Sequence, residues 1–80
     1  MNIQLIDEEV KPLEALELVT RLIHLKINYY QDKMNAQPSG AKLRETEQKI
    51  KQLQKELFLL KKTLDKKTGP LKLDAIIRIE

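Results

Sequence analysis

The chain has no cysteine and no tryptophan, and only one phenylalanine, two tyrosines, two glycines and three prolines among 80 residues. Without cysteine there is no disulfide framework and no thiolate metal site. The longest unbroken apolar run, LFLL at 57–60, is far short of the roughly 20 residues that span a bilayer. No apolar stretch of signal-peptide type occurs in residues 1–20, where DEEVKPLEALE is acidic and interrupted by Pro12. The expectation is a soluble, cytoplasmic protein with no membrane partner. His24 is the single histidine, and Thr20 and Asn28 occupy the positions four before and after it, so no second ligand stands beside it. There is no glycine-rich phosphate loop, since Gly40 and Gly69 both stand at breaks between elements. Glu8-Glu9 and Glu45/Glu47 lie on solvated segments, with nothing to suggest a cleft that would raise their pKa. These absences exclude an evident catalytic, cofactor-binding or metal-binding set, and no enzyme activity is expected.

What remains is charge and apolar periodicity. The formal net charge of +3 is unevenly spread. Asp7, Glu8, Glu9, Glu14 and Glu17 face one lysine, Lys11, in residues 1–19, whereas Lys61, Lys62, Lys66, Lys67 and Lys72 cluster near the other end. An 80-residue chain is one small domain at most, and a domain of that size is marginal without staples or partners.

NIQLI at 2–6 is short and β-leaning, with Ile3 and Leu5 on one face of a strand. Lys11 precedes proline and is pushed toward extended geometry. Pro12 suits a first helical turn, and Glu14 and Glu17 suit the positive end of a helix dipole. The spacing predicts helix over 12–35, a turn at 36–40 with Ser39 as N-cap, and helix over 41–67. Glu45–Lys49 and Glu47–Lys51 are favourably oriented pairs four apart on the second helix. Gly69-Pro70 reads as a stop, with Gly69 in the left-handed C-terminal position. LKLDAIIRIE alternates as a strand over 71–79, with Leu71, Leu73, Ala75, Ile77 and Ile79 on one face. A short connection sets the helices antiparallel, which brings the two strands to one end, where they can pair antiparallel. The expected fold is mainly α: an antiparallel, coiled-coil-like helical hairpin flanked by two short strands, in the order β-α-α-β.

The second helix carries one narrow seam. Leu43, Ile50, Leu57 and Leu64 recur every seven residues, with Thr46, Leu53 and Leu60 between them. Only Phe58 and Leu59 fall off it. The first helix has a matching seam of Leu13, Leu16, Thr20, Ile23, Ile27, Tyr30 and Met34. It also has a second stripe, Ala15, Leu18, Leu22, Leu25 and Tyr29. At about 100° per residue that stripe points nearly opposite the first. One antiparallel neighbour does not cover two opposite faces. Burying a leucine or isoleucine gains roughly 1.5–3 kcal/mol, so four large side chains left in a row mark an association site. The expectation is a homodimer through Leu18, Leu22, Leu25 and Tyr29, with a four-helix core. The alternatives are cover by the chain's own terminal strands, or a different protein on the same stripe.

The rival functional class is nucleic-acid contact through the lysines of the second helix, Lys51, Lys55, Lys62 and Lys66. Gln48, Gln52, Gln54, Glu56 and Asp65 interrupt that run, no aromatic residue is interleaved with it, and the antiparallel hairpin sets its lysine-rich end beside the acidic start of the first helix. The segment QLQKELFLLKK, residues 52–62, resembles the helical hairpin of a bacterial ribosomal large-subunit protein family. That family lacks terminal strands and is strongly basic, and this chain departs from it on both counts. The hairpin is also similar to the antiparallel coiled coils of transcript-cleavage factors. Their function rests on acids at the hairpin tip, where this chain has Asp32 alone. Neither resemblance transfers a function. The sequence points to a protein–protein interaction module, an adaptor or accessory subunit.

Overall fold

The computed structural model describes residues 1–36 and 40–80. The element order is β1 (Asn2–Val10), α1 (Pro12–Ala36), α2 (Gly40–Asp65) and β2 (Leu71–Arg78). The two helices are antiparallel neighbours, and the strands form a two-stranded antiparallel sheet. This is the β-α-α-β hairpin that the apolar spacing implies.

Lys11 and Pro12 start α1. The Ala15 amide donates to the Lys11 carbonyl at 3.0 Å, which makes Lys11 the cap and Pro12 the first helical residue. Glu14 occupies the first turn and Lys33 the last, each at the end of the helix dipole that favours its charge. The expected Ser39 cap falls on residues outside those described. α2 ends at Asp65, two residues earlier than its spacing suggests, with the Lys67 amide closing on the Leu64 carbonyl at 3.1 Å. Gly69 therefore lies beyond the helix end, and no described glycine has a positive φ. The left-handed role expected of it is overturned. Leu64 is the last seam residue, so packing gives the helix no reason to continue toward Gly69.

β1 is longer than the Asn2–Ile6 segment that its composition advertises. Its ladder continues through Asp7–Asp74, Glu8–Leu73 and Glu9–Lys72 and ends with Val10 opposite Leu71. Acidic residues are poor strand formers, but β2 supplies the hydrogen-bonding partners that local propensity does not. Between Gln4 and Ile6 the register shifts by one, leaving Leu5 as a bulge. The bulge changes the phase of the strand. Ile3 pairs with Ile77 on one side of it, and Ile6, Glu8 and Val10 pair with Ala75, Leu73 and Leu71 on the other. Both apolar sets thereby share the face that carries the odd-numbered residues of β2. The opposite face is mostly polar. There Asp7 stands directly across from Asp74, a like-charge pair. Lys72 bridges to Asp7, and the Gln4 side-chain amide donates to Asp74 Oδ1 at 2.5 Å.

The core is thin. Ile6, Val10, Ala15 and Ile27 are the buried apolar residues among those described, and none belongs to α2. Val10 and Leu18 wall a shared recess, so the inner end of the ribbon lies against the start of α1. The outer end, with Met1, Ile3, Leu5, Ile77 and Ile79, is exposed.

Candidate functional site

The second stripe of α1 becomes more open along the helix. Ala15 is 2% exposed, Leu18 and Leu22 are half-buried, Leu25 is 68% exposed and Tyr29 is 48% exposed. The inner end of the ribbon meets the start of the stripe, where Val10 and Leu18 wall a shared recess. Beyond it lies an open groove of about 520 Å³ lined by Leu22, Leu25, Lys26, Asn28, Tyr29 and Asp32. The expected stripe and the expected intrachain cover therefore each account for part of one face.

The other face of α1 meets α2. Leu16, Thr20, Ile23, Tyr30 and Met34 are half-buried and Ile27 is buried, opposite half-buried Leu43, Thr46, Ile50, Leu53, Leu57, Leu60 and Leu64. Thr46 donates its hydroxyl to the Lys42 carbonyl at 3.0 Å, which lets it sit in an apolar seam. Leu13 departs from the pattern. It is 75% exposed, beside an open recess that it shares with Leu16, Leu64 and Asp65 at the end of α2.

The groove is bordered by cations and phenol rings. The Tyr29 and Tyr30 rings lie 5.6 Å apart. Lys26 sits 5.2 Å from the centre of the Tyr29 ring and 4.9 Å from that of Tyr30, and Lys33 sits 4.9 Å from that of Tyr29. The Lys33 ammonium beside the Tyr29 phenol lowers the phenol pKa, and the phenol in turn raises that of Lys33.

Lys51, Lys55, Lys62 and Lys66 are all exposed. At about 100° per residue the first three fall within one narrow sector of α2, and Lys66 follows directly after the helix end. No salt bridge engages them among the described residues, nor do the Glu45–Lys49 and Glu47–Lys51 pairs close; the two that form are Glu17–Arg21 and Asp7–Lys72. The acidic start of α1 thus makes no ion pair with the lysine-rich end of α2. Phe58 borders the basic face, with Lys62, four residues on, 4.6 Å from its ring centre, so the expectation that no aromatic residue is interleaved with these lysines is overturned. His24 is exposed. Among the described residues no three histidine, aspartate or glutamate side chains gather as a metal site would require. Among the described residues no helix is long and apolar enough to cross a membrane.

Comparison with known protein families, curated proteins and solved structures gives no match.

Proposed function

We propose that the chain is a non-enzymatic, cytoplasmic association module that pairs with a second copy of itself through Leu18, Leu22, Leu25 and Tyr29. The observation that carries this reading is surface area. The chain exposes 6622 Å², whereas a compact monomer of its mass exposes about 5,000 Å². The surplus is on the order of what two standard interfaces remove from one partner, about 800 Å² each. Leu25 and Tyr29, in the open half of the second stripe, contribute apolar area to that surplus. Charge favours a copy running antiparallel. Glu14 and Glu17 occupy the first half of α1, and Lys26 and Lys33 the second. An antiparallel copy centred near Leu25 brings Glu17 to Lys33 in both directions, whereas a parallel copy aligns like with like.

Leu22→Lys and Leu25→Lys test this reading. Each is expected to lower the sedimentation mass relative to the unaltered chain at equal concentration while keeping the helical circular dichroism. Unchanged mass in both variants rejects the pairing.

The exposed, unpaired lysine sector with Phe58 at its border favours a second reading, contact with nucleic acid. Binding to duplex or RNA that weakens steeply with salt, and weakens further when Lys51, Lys55, Lys62 and Lys66 are all changed to glutamine, is its signature. Indifference to nucleic acid at low salt removes it.

A further inference from the structure

The two outer edges of the ribbon differ. The β1 edge is interrupted by the bulge at Leu5 and carries Asp7, Glu8 and Glu9 in succession. A bulge breaks a ladder and clustered acids repel a copy, and both protect an edge from further pairing. β2 has neither device, and its eight residues LKLDAIIR run without proline or glycine.

Met1 and Ile79 exchange both backbone hydrogen bonds at 2.8 Å, so Ile79 turns its N–H and C=O toward β1. By strand alternation Lys72, Asp74, Ile76 and Arg78 turn theirs to the open edge. The side chains at these positions, continued to Glu80, read plus, minus, apolar, plus, minus. Their signs invert about Ile76. An antiparallel copy centred there sets Lys72 against Glu80, Asp74 against Arg78, and Ile76 against itself. On the other face Leu73 meets Ile79 and Ala75 meets Ile77. Neighbouring registers lose this match. Centring on Ala75 opposes Lys72 to Arg78, and centring on Asp74 opposes that carboxylate to itself. Ile76, Ile77 and Ile79 are exposed in the single chain and would gain cover.

We propose that β2 is a self-recognition edge: a second copy of this chain adds to it antiparallel about Ile76, giving a four-stranded sheet in the order β1-β2-β2-β1 across a two-fold axis. The inference stands on the ribbon alone and does not depend on the α1 surface. If both surfaces engage, about perpendicular axes that intersect, four chains close into one assembly.

The absence of cysteine makes the test direct, because one introduced thiol reports one position. In the full chain under mild oxidation, Ile76→Cys is expected to form a cross-linked dimer readily. Lys72→Cys is not, since the two copies of position 72 would lie about 27 Å apart. Asp74→Arg or Arg78→Asp added to Ile76→Cys should each slow cross-linking about tenfold, and the two together should restore it. This readout is specific to β2, so loss of pairing through α1 leaves it interpretable. Equal cross-linking at positions 72 and 76, or no recovery in the double reversal, overturns the proposal.

Discussion

Tyr29 and Lys33 lie one helical turn apart, and each alters the other's titration. The nearby Lys33 ammonium favours the ionised phenol, holding Tyr29 below its ordinary 10.0 and Lys33 above its ordinary 10.5. For the lowered phenol, the contribution to stability is present above its ordinary pKa and lost as pH falls through the lowered one. For the raised ammonium it is present below the ordinary pKa and lost as pH rises through the raised one. The ionic pair is thus confined to an alkaline window. A spectrophotometric titration in dilute solution should show one of the two tyrosines ionising below 10.0, and Lys33→Met should move it upward. No shift between the two proteins would remove the contact. Both residues are plain in the sequence but their pairing is not, because a four-residue spacing fixes proximity and leaves the side-chain rotamer open. Gly69 shows the opposite failure. Its residue type implies a conformation that the helix, already ended at Asp65, never asks of it.

At the level of elements, the seam between α1 and α2 is the most legible feature, because a repeat of three and four permits one packing arrangement. Leu53 sits in the middle of that seam and is half-buried. Leu53→Lys places a charge between the helices and should cost about 3 kcal/mol, enough in so small a domain to abolish most of the helical circular dichroism. Retained helicity would show that the seam does not hold the hairpin together. β1 is less legible. Asp7, Glu8 and Glu9 hide a strand whose partner lies far away near the other end of the chain, and only the partner's alternation makes the pairing visible. The bulge at Leu5 has a trace in the sequence, the phase change between Ile3 and Leu5 on one side and Ile6 and Val10 on the other. The division of the second stripe has none, since it depends on how far the ribbon reaches along α1.

As a whole the molecule is a slab of 46 × 32 × 14 Å with a radius of gyration of 15.1 Å, against about 12 Å for a compact chain of its length. A body this thin has little interior, which is why no described side chain is fully enclosed. Stability should therefore rise with concentration. A tenfold increase is expected to raise the thermal midpoint by about 3 °C if folding and pairing are coupled, and a midpoint independent of concentration would show that the slab stands alone. The bulge at Leu5 has a further consequence on this scale. A ribbon receptive along both margins is a monomer for polymerisation, each addition exposing a fresh site for the next. If β2 pairs as proposed, one disabled margin ends growth of the sheet after a single step, and the product is a closed, countable particle instead of a fibre.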